Sequence, residues 1–333
     1  MTPIDIASIR RAAERLSGRI VRTPLLASAM LDELAGAKVL VKAEPLQKTG
    51  SFKIRGALNK ILSTPEEKRK SGFVAFSSGN HGQAVAAGAR MVGAPAVIVM
   101  PKDAPSIKIE SCRWWGAEVV FFDRLTDDRE AMGRKIEGER GMTLVPPFDD
   151  PDVMSGQGTM GLEIVEQLRE AGAAPDALLV NCSGGGLASG VITAVKHAFP
   201  DTRCYTVEPA GFDKMARSLK AGAPQKNERL TGSIMDALMA PAPGKLTLAT
   251  LRANGAEGVS ATDEEALDAM AAAFRTLKLV VEPGGAAALG ALLAGKVGLS
   301  GKTVVVVCSG GNVDPAMFAR ALERRPASLA RAA

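Results

Sequence analysis

Between residues 73 and 148, short continuous apolar runs alternate with longer amphipathic stretches. Phe73–Ser77, Ala96–Met100, Glu118–Phe122 and Met142–Pro146 read as strands, and His81–Val92, Ile107–Trp115 and the charged stretch Asp127–Arg140 as helices. The strands show no polar alternation, as expected when helices cover both faces of a sheet. Strand and helix in alternation predict a doubly wound parallel unit.

A second unit starts near Met154. Leu162–Ala171 reads as a helix, Ala177–Cys182 as a strand, Ala188–Phe199 as a helix and Arg203–Val207 as a strand. Further on, Glu264–Leu277 is helical with acidic residues in its first turn. Gly285–Leu293 is a helix of small residues and Thr303–Cys308 a buried strand. The first residues form a helix over Ile4–Leu16, with Pro3 at its first turn, and a strand over Lys38–Lys42. No Pro/Gly/Ser-rich linker separates the units, so the first segment is expected to join the C-terminal one. The predicted fold is α/β: two doubly wound domains with parallel sheets. Residues 1–63 and 152–325 make the large domain, 71–149 the small one, and 326–333 a frayed tail.

Composition narrows the function. The chain of 333 residues has room for roughly two domains. Its 46% hydrophobic and 23% charged residues exclude a disordered chain. The formal charge of +5 is modest for this length and fits an anionic small ligand as well as a nucleic acid. No nucleic-acid or membrane partner is expected: the longest weakly apolar stretch, Gly284 to Gly295, is too short to span a bilayer. The start, Thr2-Pro3-Ile4-Asp5-Ile6, has no apolar signal core. Cys112, Cys182, Cys204 and Cys308 are widely spaced, which points to buried free thiols in a reduced, cytoplasmic chain. Two histidines and no cysteine pair leave no zinc site.

Three short matches fail on context. Gly156-Gln157-Gly158-Thr159-Met160-Gly161 fits the dinucleotide fingerprint but follows a polar loop instead of a strand. Gly290 to Lys296 resembles a nucleotide-phosphate loop, but Val297 replaces the hydroxyl residue that would hold magnesium. Asn181-Cys182-Ser183 is a glycosylation sequon in form, at the end of a buried strand.

Ser183-Gly184-Gly185-Gly186-Leu187 has the right context, a strand before it and a helix after it. Its backbone N–H groups can converge on a phosphate at the positive helix end. The competing reading is a tight turn that needs glycine for packing. Cys308-Ser309-Gly310-Gly311-Asn312 and Ser77-Ser78-Gly79-Asn80-His81-Gly82 are further turns at strand ends. In open α/β sheets ligands sit beyond those ends. Ser78 and Asn80 fit helix capping as well as ligand contact. Thr49 to Ala57 is a basic segment opening a helix, and Lys53 within it could be a nucleophilic amine or a solvated one.

Together these segments resemble the pyridoxal-phosphate enzymes of the tryptophan synthase β fold type (fold type II), and among them the threonine/serine dehydratase and serine racemase family. Ser51-Phe52-Lys53-Ile54-Arg55-Gly56-Ala57 resembles the family's cofactor-lysine motif. Ser77 to Gln83 resembles its asparagine loop, Ser183 to Leu187 its phosphate loop, and Cys308 to Asp314 its C-terminal serine loop. Order and spacing agree over roughly residues 4–322.

The resemblance implies a cofactor, pyridoxal 5'-phosphate, joined to Lys53, which also moves the Cα proton. Phe52 would lie against the ring and Asn80 bond its phenolic oxygen. Ser183, Gly184, Gly185, Gly186 and Leu187 would hold the phosphate, and Ser309 would bond the ring nitrogen. A neutral serine there weakens the electron sink and favours elimination. The implied reaction is dehydration and deamination of L-threonine or L-serine by a homodimer. Ser77, Ser78, Asn80 and His81 match the substrate-carboxylate loop, and Ser78 also the residue that gives relatives racemase activity. Arg129 lies where a relative places an arginine facing the substrate side chain, which would favour 3-hydroxyaspartate; it also reads as a solvated helix residue. An idle relative that binds a phosphorylated metabolite is the reading from another class. Some family members bind a divalent cation through a glutamate matched here by Glu208. Lys214 stands where they carry the second acid, and Asp213 one position earlier, so the expectation is a lysine ammonium in place of a metal.

Overall fold

A computed structural model of the chain describes residues 3–77, 79–102, 104, 106–123 and 126–324, without the side chains of Ile107 and Arg129. The expected frayed tail lies outside these residues. The strands are β1 (Leu25–Ala27), β2 (Lys38–Ala43), β3 (Phe73–Phe76), β4 (Ala96–Pro101), β5 (Glu118–Phe122), β6 (Thr143–Leu144), β7 (Ala177–Asn181), β8 (Arg203–Pro209), β9 (Glu257–Ala261) and β10 (Thr303–Cys308).

Among the described residues these strands form two sheets. One has the order β1-β2-β10-β7-β8-β9 and the other β5-β4-β3-β6. Every pairing is parallel except β1 with β2. The central strands are buried along their length because helices cover both faces, which explains their unbroken Val/Leu/Ile runs. β10 pairs with β2 on one side and β7 on the other, so the turns after β7 and β10 open side by side at the carboxyl edge.

Strands β1 and β9 were not anticipated from the sequence, and three anticipated elements change their bounds in ways that matter for the site. The first helix is Ile6–Leu16, and Pro3 lies outside it, because Asp5 and Ser8 cap each other's backbone N–H. The strand expected over 142–146 shrinks to β6: Pro146 and Pro147 carry no N–H for a ladder. The helix expected at Leu162 starts at Pro151, capped by Asp150, and runs to Glu170.

That long helix absorbs the glycines of the false dinucleotide fingerprint. A Cβ on Gly156 would lie 2.6 Å from the Arg55 carbonyl oxygen, and one on Gly161 2.7 Å from that of Val191. Glycine is what lets this helix press against helices Lys53–Ser63 and Gly186–Ala198, the two that open at the candidate site.

A buried charge cluster fixes the same contact. Arg55 donates to Glu163 at 2.6 and 2.9 Å, and Lys42 donates to Glu163 at 2.6 Å and to the Thr23 carbonyl at 2.7 Å. Burial pushes Glu44 up, but the adjacent Arg55 charge outweighs it and leaves the carboxyl below its ordinary pKa. The cluster balances two cations against two anions, which is what makes its burial tolerable.

Candidate active site

Lys53 is the first residue of helix Lys53–Ser63. The segment before it is tied to the turn after β10. Ser51 bridges to Gly310, Phe52 N donates to the Ser309 carbonyl at 3.1 Å, and Gly311 N donates to that of Gly50 at 2.8 Å. The Lys53 Nζ donates to the Pro147 carbonyl at 2.8 Å and lies 5.3 Å from the centre of the Phe52 ring. Burial pulls its pKa from the usual 10.5 to about 8. An amine in that range is a usable nucleophile and base near neutral pH.

The turn after β7 faces Lys53 across a cavity of about 240 Å³. Gly185 has φ +102°, and a Cβ there would lie 2.7 Å from Met215 Cε. A Cβ on Gly184 would lie 2.4 Å from the Phe148 ring. The backbone is pinned where Gly244 N and Thr247 Oγ1 donate to the Gly184 carbonyl, at 3.0 and 2.6 Å. Ser183 Oγ accepts from Ala240 N at 3.3 Å. Gly186 then opens a helix of 13 residues, with Leu187 in its first turn. First-turn N–H groups have no partner inside a helix and lie at its positive end. Such an arrangement can hold one phosphate.

Asn80 opens the helix after β3. Its Nδ2 donates to Glu282 Oε1 at 2.6 Å, and its Oδ1 accepts from Asn312 Nδ2 at 2.8 Å. One Nδ2 hydrogen therefore remains for a ligand. Burial raises the Glu282 carboxyl to about 7, against the Asn80 bond that lowers it. Ser77 lines the cavity, with its Oγ accepting from Gly79 N at 3.1 Å. His81 Nε2 lies 2.8 Å from the Val145 carbonyl. Burial, with the nearby Lys53 charge, drops its pKa to about 3, so the ring is neutral and Nε2 is the donor. It brings no positive charge to a carboxylate.

Ser309 is buried at the cavity wall, and its Oγ accepts from Asn181 Nδ2 at 3.0 Å. Asn181 is itself locked, with Nδ2 facing the Gly285 and Val307 carbonyls and Oδ1 accepting from Ala288 N at 2.6 Å. The Ser309 hydroxyl hydrogen is thus free to donate into the cavity.

One cavity therefore gathers Phe52, Lys53, Ser77, Asn80, His81, Ser183 to Leu187 and Ser309. Ser78 and the Arg129 side chain lie outside the described residues, although the Arg129 backbone opens helix Arg129–Arg140. The residues present fit the expected cofactor: a buried amine for its aldehyde, a glycine cradle no side chain could enter for its phosphate, and a hydroxyl donor for its ring nitrogen. Sequence reasoning passed over Glu282, Asn181, Lys108 and Asp236, which also line the cavity. Asn181 carried a signal, being a polar residue that ends a buried strand.

Glu208 lies apart from this cavity, and neither it nor Lys214 is exposed. Lys214 Nζ donates to Glu208 Oε1 at 2.9 Å and to the Leu238 carbonyl at 3.2 Å. The N–H groups of Met215 and Ala216 donate to the other oxygen, at 2.8 and 3.0 Å. Asp213 turns away, 3.4 Å from Arg217. The ammonium stands on the glutamate as a cation would.

Comparison with known proteins bears on the family of the chain. Residues 16–310 match the model of a family described as pyridoxal-phosphate dependent enzyme. An L-threo-3-hydroxyaspartate ammonia-lyase from a Pseudomonas species is 42% identical over 313 residues, covering 94% of this chain and 97% of that one. A solved threonine deaminase from T.th. superposes with a TM-score of 0.87 at 40% identity, covering 93% of this chain and 99% of that one. Maize serine racemase superposes with a TM-score of 0.89 at 36% identity, covering 96% and 97%.

Proposed function

The chain belongs to the pyridoxal-phosphate-dependent enzyme family, and on that footing we propose that it converts a 3-hydroxy amino acid, L-threonine or L-serine, to a 2-oxo acid and ammonia. It is an ammonia-lyase of that family. Water is lost across Cα and Cβ, the freed enamine tautomerises to an imine, and water adds back as ammonia leaves. The net products are a 2-oxo acid and ammonia.

The observation that carries this reading is the depressed amine of Lys53 sharing one cavity with the cradle at Gly184–Gly186. Bound pyridoxal phosphate supplies the electron sink that acidifies the substrate Cα–H. Lys53 Nζ takes the Cα proton, and its pKa of about 8 suits that task near neutral pH. Asn80 and Ser77 orient polar groups at the ring and carboxylate ends of the cavity. Ser309 supports elimination in particular. Asn181 donates to its oxygen, so its hydroxyl would be able to offer a hydrogen to the ring nitrogen of a bound cofactor. Among the described residues it is this serine, rather than a carboxylate, that would meet that nitrogen, and a long-lived carbanion would then be disfavoured.

The similarity to an ammonia-lyase named for 3-hydroxyaspartate supports that substrate as a second reading. A cytoplasmic setting is supported by four buried free cysteines, and a homodimer by the family resemblance. Among the described residues no helix is long and apolar enough to cross a membrane. Incubating the cofactor-loaded protein with L-serine, L-threonine and L-threo-3-hydroxyaspartate tests the proposal. Release of 2-oxo acid and ammonia in equal amounts supports it, and release of neither from any of the three overturns it.

A further inference from the structure

The active-site cavity adjoins a second cavity of about 350 Å³. Gly79, Asn80, Lys108, Asp236 and Glu282 line both and form the neck between them. Three of these carry ionisable side chains. Lys108 comes from helix Ser106–Trp114, beside the four-stranded sheet, and Asp236 from the short turn Asp236–Leu238 of the other unit. Lys108 Nζ lies 3.0 Å from Asp236 Oδ2 with side chains 30% and 63% exposed, so the pair spans the neck in contact with solvent. The charges of both reach the Glu282 carboxyl.

We infer that Lys108 is the specificity-determining cation of this cavity: it takes the side-chain carboxylate of a 3-hydroxy dicarboxylic amino acid in exchange for Asp236. The inference rests on the ammonia-lyase reading and deepens it by naming the substrate class. Among the described cavity-lining residues the ammonium groups are Lys53 and Lys108. Lys53 is committed to the cofactor and the Cα proton, and the His81 ring is neutral. Among the described residues, a second substrate carboxylate thus has Lys108 as its positive partner. Without one it would sit beside Asp236 and Glu282, which repel it, in a place where an unpaired anion is costly. The hydroxymethyl of serine and the methyl of threonine make no such demand. Exchange is easy because an exposed lysine–aspartate pair is weak, whereas a carboxylate held inside a cavity gains more from the same ammonium.

Two variants of the cofactor-loaded enzyme test this, Lys108→Met and Asp236→Asn. The readouts are kcat/KM for L-threo-3-hydroxyaspartate relative to L-serine, and succinate affinity by calorimetry. Lys108→Met is expected to lower the ratio roughly tenfold to hundredfold and to weaken succinate binding by a similar factor. Asp236→Asn, which frees the lysine, is expected to raise the ratio and tighten succinate. A wild type that uses serine but not 3-hydroxyaspartate overturns the inference, as does an unchanged ratio with unchanged succinate affinity in both variants. A wild type that deaminates neither substrate refutes the ammonia-lyase reading instead, and the succinate titration then still decides whether Lys108 pairs with a dicarboxylate.

Discussion

Arg55 holds Glu44 through Nε and Nη2, both at 2.8 Å, and neither side chain reaches solvent. Arg55 lies two residues beyond Lys53 on the same helix, and its pairing with Glu44 anchors that helix from behind. Arg55→Met would leave Glu44 buried without its partner, a loss of about 3–5 kcal/mol. Urea unfolding measures it. The double variant Arg55→Met/Glu44→Met should recover part of the loss, because no lone charge remains. A single-variant cost below about 1 kcal/mol would show that the cluster is not what secures the helix.

The Lys214 ammonium on Glu208 predicts an enzyme without need of a divalent cation. Dialysis against excess EDTA should leave turnover unchanged, and added magnesium or calcium should not raise it. Activity that falls with EDTA and returns with magnesium would mean that the ammonium does not serve in a metal's place.

Glu282 makes the apo protein's stability depend on pH. Its carboxyl titrates at about 7 in the fold against an ordinary 4.5. Between those values the native state keeps a proton that the unfolded chain has released, so stability is lost as pH rises through this window. The full penalty, up to ~3 kcal/mol, applies above it. Glu282→Gln removes the titration and can still accept from Asn80. The variant should gain stability over the wild type as pH goes from 4.5 to 8. A difference that stays flat across that range would rule out the raised carboxyl.

Some of this was legible in the chain and some was not. Glu118–Phe122 and Thr303–Cys308 form strands with the bounds their apolar runs predict; the unbroken run of Thr303–Cys308 reflects burial on both faces, whereas Glu118–Phe122 is a partly exposed edge strand. The first half of helix Pro151–Glu170 was not legible. Its glycines have low helix propensity, and packing against Arg55 and Val191 overrides it. The turns that carry Lys53, Ser183 and Ser309 could be read because each follows a strict local pattern. Glu282, Lys108 and Asp236 follow none: they meet at the neck through the placement of two sheets, which no local spacing encodes.

The central claim is that Lys53 carries the cofactor, and one measurement addresses it directly. The protein loaded with pyridoxal phosphate is reduced with borohydride, digested and mapped by mass spectrometry. The account predicts a phosphopyridoxyl group on the peptide containing Lys53, and none there in Lys53→Ala. A label on a different lysine, or no covalent label on the wild type, would contradict it.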